Sequence, residues 1–284
     1  MKIVHEDTAV RKGASAHRGG GVHFLSLLQG QENTPNNFHL TLVYANDYVA
    51  PRHRHNFDQV RIVLDGAFGF DRDMVQEAGM LGYFTEGTYY TQKSVGQSTT
   101  LLLQSGGASG AGYMSDTQLR TAVDNLKSKG EFNNGIFTWH DSKGKKHNKD
   151  GYEAAWELVR GQKINYPKPL FEQPILWRGN RFAWEPANHK GVEIRRFAEF
   201  TNKQLCLAQI RIKAGAQCSI SSDERETLLY CIDGKARIGS ENLRAISSVH
   251  LLRGEHIQIH AHETTQFYVF GLMNFSSTEF HHVN

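Results

Sequence analysis

Cysteine is scarce in this chain, and its few copies are spaced for no obvious chemistry. Cys206, Cys218 and Cys231 are the three in 284 residues. An odd count with no C-x-x-C pair argues against a disulfide framework and against secretion. No stretch approaches 18 uninterrupted apolar residues, so no membrane-spanning helix is expected. The opening MKIVHEDTAVRKG lacks the apolar core of a signal peptide, which makes a cytoplasmic protein the expectation. Charge of one sign is missing too. The 32 Lys and Arg stand against 29 Asp and Glu, a net +3, and the basic residues are scattered apart from Lys143, Lys145 and Lys146. A nucleic-acid partner is therefore not expected. Neither a G-x-S-x-G turn nor a Cys–His pattern offers a nucleophile. The glycines of SGGASGAG at 105–112 are not in the G-x-G-x-x-G order of a phosphate loop. Proline is limited to six copies while glycine has 27, a balance that suits a β-rich chain with many turns.

What is present is alternation. VHFLSLL, FHLTLVYA, QVRIVLDGAFGF, MLGYFTEG and TTLLLQSGG follow one another between residues 22 and 113, each bounded by Gly, Asn or Asp. Short strands at this spacing predict a sandwich or barrel. The period then changes. In SDTQLRTAVDNLKSKG (115–130), Leu119, Val123 and Leu126 share one helical stripe, with Ser115 or Asp116 as cap and Gly130 as stop. A polar turn, DSKGKKHNKDG, leads to a second short helix in YEAAWELVRG. NYPKPLFEQPILW, stiffened by Pro167, Pro169 and Pro174, reads as an extended crossing segment. Alternation resumes in VEIRRFAEF, QLCLAQIRIKAG, TLLYCIDGKARIG, EHIQIHA and QFYVFGLMNF. VRIVLDGAFGF and LLYCIDGKARIG each set a strand before Asp-Gly, and each is followed by a strand that begins after a glycine, Gly79 or Gly254. Two copies of one β-unit are expected. The boundaries predicted are 1–114 for an N-terminal barrel with the site, 115–165 for a helical and hairpin connector, and 166–284 for a C-terminal barrel.

PRHRHNFDQVRIVLDG (51–66) places His53 and His55 one residue apart and Gln59 four further on. On a strand, an H-x-H pair turns both imidazoles to one face. These residues resemble the cupin superfamily, whose first motif runs G-x5-H-x-H-x3-E-x6-G and whose second runs G-x5-P-x-G-x2-H-x3-N. His53, His55, Gln59 and Gly66 keep the first spacing from its histidines onward; Gly79, Thr85, Gly87 and Tyr90 keep the second. Gln59 stands in place of the family's glutamate and Tyr90 in place of its third histidine. In the other half Ser221, Asp223, Thr227 and Thr265 fall at the ligand positions, so that copy is expected to bind no metal. The resemblance implies an all-β bicupin, two jelly-roll barrels joined by a short helical connector, and a homodimer.

On that resemblance His53, His55, Gln59 and Tyr90 are the candidate metal ligands. The metal implied is a divalent or ferric transition metal, iron first, with zinc, nickel, manganese and copper as alternatives. His39 is a candidate either to replace the missing imidazole and touch substrate, or to serve structure. Arg61, two residues after Gln59, faces the same way in a regular strand and needs an anion, either a substrate group or the carboxylate of Asp58 or Glu86. Tyr89 and Gln92 flank Tyr90, and one of them is expected to reach the pocket. His256, His260 and His262 repeat the histidine spacing, but Ile257 and Ile259 alternate with them and claim the interior, leaving these histidines outside. The terminal His281 and His282 read as a polar tail. Tyr90 and Arg61 are the candidate catalytic residues. The function expected is a metal-dependent oxidoreductase of dioxygenase type acting on a small anionic metabolite. The alternatives are a metal-free lyase or isomerase using His and Tyr acid–base chemistry, and a non-enzymatic binding protein.

Overall fold

Alternation and turn chemistry build the strands where the sequence places them. The computed structural model describes residues 1–34, 36–200 and 205–272; His281 and His282 lie outside them. Contacts divide the described residues into two compact units, one of Arg11–Trp177 and one that joins Met1–Val10 to the described residues from Arg178 to Leu272.

In the first unit a nine-stranded sheet runs, in spatial order, Ile175–Arg178, Met80–Phe84, Phe57–Phe70, Tyr90–Gly106, Phe38–Ala45, Val22–Gln29 and Val10–Lys12. Val49–His53 pairs with the strand Tyr90–Gly106, and Met74–Glu77 with Phe57–Phe70. The two longest strands, Phe57–Phe70 and Tyr90–Gly106, run side by side. Period two then lines up one row from three strands on a single face: Gln59 opposite Gln104, and Gln104 opposite His39. The next row holds Arg61, Leu102 and Thr41.

The helix α1 (Asp116–Lys127) starts at Ser115, whose hydroxyl accepts from the Gln118 amide while the Gln118 side chain accepts from the Ser115 amide. The helix α2 (Gly151–Arg160) is capped by Asp150, which accepts from the Tyr152 and Glu153 amides, and ends on Gly161 in the left-handed conformation. Between them Gly130–Asn133, Ile136–His140 and Lys146–Asp150 form a meander, and the stretch read as a polar turn supplies its second turn and its third strand. These elements do not stand apart as a connector. Ala122, Val123 and Leu126 of α1 and Tyr152, Ala155 and Trp156 of α2 form one core with Phe57 and Tyr113. The proline-rich stretch also joins this unit, ending as the edge strand Ile175–Arg178. Unit boundaries thus differ from those expected, because residues 115–177 bury their apolar faces against the first barrel.

The second unit contains a seven-stranded sheet in the order Lys2–Val4, Ser248–Leu251, Thr227–Asp233, Thr265–Gly271, Leu205–Ile212, Val192–Phe200 and Glu185–Pro186. A four-stranded sheet, Gln217–Ser221, His256–Ala261, Ala236–Ile238 and Glu241–Leu243, completes it. Its interior is filled by Ile210, Ile212, Leu229, Val249, Leu251, Ile257, Ile259 and Phe267. Ile257 and Ile259 are buried, His256 and His262 are exposed and His260 is half-buried. The Asp-Gly repeat has a geometric basis. Gly66 (φ +73°) and Gly234 (φ +84°) each lie against the backbone of a neighbouring strand, so that a Cβ would meet the Gln97 oxygen at 2.1 Å or the Thr264 oxygen at 2.4 Å. Only glycine fits either place.

Candidate active site

The N-terminal barrel encloses a cavity of about 130 Å³, while the second unit has an apolar interior and, beside it, a more open pocket lined by Ser221, Asp223, Arg225 and Thr227. His39, His53, His55, Gln59, Arg61 and Gln92 all line the N-terminal cavity. Period two decides the flanking residues. Gln92 lines the cavity, Tyr90 (1% exposed) turns inward and packs behind the lining with Phe70 and Phe84, and Tyr89 (39% exposed) turns out. Tyr89 is thus corrected from a substrate contact to a surface ring, held by the guanidinium groups of Arg52 and Arg54 at 4.1 and 4.6 Å from its centroid.

His53 and His55 sit together, ring centroids 5.0 Å apart, with the Tyr90 ring 4.7 Å from His53. His53 Nδ1 lies 2.6 Å from the Pro51 carbonyl. A carbonyl only accepts, so Nδ1 carries the proton and the lone pair belongs to Nε2, which is buried without a partner, as is His55 Nδ1. Burial, joined by the charges of Arg18 and Arg61, holds both imidazoles well below the usual histidine pKa and therefore neutral. His39 is pushed down to about 4 by burial, and its Nε2 is 2.7 Å from the Ser26 hydroxyl.

Gln59 is fully engaged by its neighbours. Its oxygen accepts from Arg61 Nη2 at 2.7 Å, and its nitrogen donates to the Tyr90 oxygen at 2.5 Å. With its amide oxygen turned toward the guanidinium, Gln92 accepts from both Arg61 Nη atoms at 2.5 and 3.1 Å. The Arg61 guanidinium carbon stands 5.2, 5.1 and 5.8 Å from the rings of Phe70, Phe84 and Tyr90, a cation held among aromatic faces. Neither expected carboxylate reaches it. Asp58 accepts from the Tyr83 hydroxyl and from the Glu86 amide (2.8 Å), and Glu86 accepts from the Ser109 amide and hydroxyl, each at 2.6 Å. Asp58 faces away because it is out of phase with Gln59 and Arg61 on their strand, and Glu86 lies in the turn that follows Met80–Phe84. Burial raises the Asp58 carboxyl to about 7. Among the described residues Arg61 has no acidic partner. Tyr90 is likewise a neutral phenol, its pKa raised by burial against the opposing pull of Arg61 and Gln59.

This donor set does not fit the transition metal that the motif spacing implies. Two imidazole nitrogens are free, but the Gln59 oxygen is spent on a guanidinium and the Tyr90 oxygen already accepts from the Gln59 amide. A second cation, Arg18, acts on the same histidines. A divalent or ferric ion would meet two neutral ligands and two fixed positive charges. Among the described residues no group of three or more His, Cys, Asp or Glu side chains is placed to hold a metal ion.

Solved structures share the whole architecture. A candidate dioxygenase from Nostoc punctiforme superposes with a TM-score of 0.63 at 10% identity, covering 97% of this chain and 86% of that one. Oxalate decarboxylase of Bacillus subtilis gives 0.58 at 12%, covering 96% and 77%. The fold is a bicupin. At such identities the likeness is one of fold alone. No family model matches the sequence, and no curated protein does. In the second copy the positions Thr227 and Thr265 are buried threonines, the former lining that copy's open pocket and the latter donating to the Lys235 and Glu263 carbonyls.

Among the wall residues that sequence reasoning missed, three bear on the histidine pair. His17 and Arg18 come from a stretch with no periodicity, SAHRGGG, where only the glycines hint at a chain forced into turns. Tyr152 comes from α2, and its hydroxyl donates to Asn56 Oδ1 at 2.8 Å while its ring stands edge-on to His55 at 5.1 Å. The apolar stripe of α2 gave no reason to separate it from the core.

Proposed function

We propose that the N-terminal cavity binds a small carboxylate and moves a proton on it without a metal, as a lyase or isomerase does. The observation that carries this reading is the buried, carboxylate-free guanidinium of Arg61 between Gln59 and Gln92. A fixed buried cation with no internal counterion favours an anion supplied from outside.

The substrate carboxylate pairs with Arg61, which positions the adjacent carbon beside His53 and Tyr90. His53 Nε2, with its tautomer set by Pro51, accepts a proton from that carbon. The electron pair moves onto the carboxylate or a neighbouring carbonyl, where Arg61 stabilises the added charge. The Tyr90 hydroxyl, whose oxygen already accepts from Gln59, donates a proton at the other position. The arriving anion also prepares the base, because its charge offsets the field of Arg18 and Arg61 that holds His53 low.

A metal-dependent dioxygenase or decarboxylase is the reading favoured by the names of the fold neighbours, among them the oxalate decarboxylase with its Mn(II) centres. It asks for an anionic ligand that Gln59 and Tyr90 do not supply. Metal-stripped protein is incubated with a panel of small hydroxy and oxo acids in D₂O, and C–H signals are followed by proton NMR. Exchange that persists without metal and disappears in His53→Gln is expected. Exchange that appears only when iron or manganese is added back would sink the metal-free reading.

A further inference from the structure

A single charge in this cavity lacks a partner. Arg18 has its counterion in Asp150, 3.3 Å from Nη2. Lys12 Nζ and Arg120 Nε share Asp116 at 2.8 and 2.9 Å, and both side chains are partly exposed, so water screens what Asp116 leaves over. Burial keeps His17, His39, His53 and His55 neutral. Among the described residues Arg61 is therefore the one buried guanidinium of the cavity without a carboxylate, and one negative charge satisfies it. Hydrocarbon lies beside that charge. Leu102 stands directly across from Arg61 on the neighbouring strand, with Thr41 beyond it in the same row, and side chains opposed in this way are about 5 Å apart. Phe24, Val43, Phe57, Phe68 and Met114 supply further wall. Two polar groups of the next row are already engaged: His39 Nε2 is 2.7 Å from the Ser26 hydroxyl, and the Gln104 oxygen accepts from the Tyr113 hydroxyl at 3.1 Å.

We infer that the ligand is a monocarboxylate with a compact apolar body, its carboxylate on Arg61 and its body against Leu102. The inference rests on the anion-binding role proposed above for Arg61. Charge and wall select the class together: a second carboxylate would be desolvated without a free buried cation to meet it, whereas each methylene laid against Leu102 and the phenylalanines leaves water for an apolar surface. Space limits the size. A cavity of about 130 Å³ is comparable to one of about 150 Å³ that accepts benzene, so the ligand has about six to eight non-hydrogen atoms.

Calorimetry on the full-length, metal-stripped protein takes acetate, propionate, isobutyrate and isovalerate in turn, with malonate as the dianion of isovalerate's size, all at equal ionic strength. Affinity is expected to rise about fourfold with each added carbon, and isovalerate to bind at least about tenfold more tightly than malonate. Leu102→Asn should flatten the series to less than about twofold per carbon, and Leu102→Ala, which enlarges the cavity, should move the tightest binding from isovalerate to isocaproate. Equal affinity of the wild type for acetate and isovalerate overturns the inference, as does malonate binding as tightly as isovalerate or a series unchanged in Leu102→Asn. Thermal melts of the free variants report folding; if Leu102→Asn does not fold, the wild-type series and Leu102→Ala decide. Arg61→Gln separates the two levels. Retained binding of the whole series in that variant, or no binding of any acid by the wild type, overturns the anion-site reading itself, whereas binding that needs Arg61 and ignores chain length overturns only the apolar body.

Discussion

A single amide decides what kind of chemistry this barrel can host. Gln59 occupies the place of a glutamate in the family that its spacing resembles, and it spends its oxygen on Arg61 and its nitrogen on Tyr90. Restoring the acid is therefore a direct test. Gln59→Glu should form a buried ion pair with Arg61 and weaken carboxylate binding by at least about tenfold in a calorimetric titration. Tyr90→Phe removes only the hydroxyl; anion affinity should stay within a few-fold while C–H exchange falls by about a hundredfold or more. His39 makes a pH prediction. Its folded pKa of about 4 lies below the unfolded value of 6.5, so its contribution is present above pH 6.5 and is lost as pH falls toward 4. The loss is on the order of 3 kcal/mol. Relative to wild type, His39→Gln should show a flatter dependence of denaturant-derived stability on pH across that window. The histidine pair and the inward Arg61 were legible because period two fixes a face from sequence alone. The choice between Tyr89 and Gln92 was not, since it depends on where the strand Tyr90–Gly106 begins. Nor was the environment of Gln59, which depends on two side chains from other positions converging on one amide.

Helices and turns hold the cavity shut from the side. α1 and α2 share a core with Phe57 and Tyr113 rather than bridging two barrels, and this brings Tyr152 to His55. Their existence could be read from stripe and caps; their docking could not, because an amphipathic face says that it is buried without saying against what. The loop at Gly87 is a second fastening. Its amide donates to the His55 carbonyl at 2.7 Å, its φ is +78°, and a Cβ there would meet the Pro167 oxygen at 2.2 Å. Gly87→Ala should therefore cost about 2 kcal/mol or more, and should weaken carboxylate binding through His55. Urea unfolding together with the same titration checks both effects. The proline-rich segment was predicted as extended; it bends at 170–173 and becomes a strand only at Ile175–Arg178, and that it would lie against this loop and close the sheet as an edge strand needs the tertiary contact.

Across the molecule, one β-pattern serves two ends. The glycines Gly66 and Gly234 perform the same close approach in both barrels, which is why the repeat could be found in the sequence at all. The interiors then diverge, the second filled with Leu, Ile, Val and Phe. Leu229→Ala, at a fully buried position of that filling, should destabilise the second unit by about 2–5 kcal/mol. Carboxylate affinity at the first should be unchanged, read by combining a melt with the titration. The second barrel is also finished by a distant part of the chain: Lys2–Val4 supplies the outermost strand of its larger sheet, against Ser248–Leu251. These partners are roughly 250 positions apart. At ordinary ribosomal speed the early strand waits on the order of tens of seconds for its neighbour to emerge. Until it docks, a newborn chain displays a bare row of amides and carbonyls along Ser248–Leu251, open to capture by another molecule's strand.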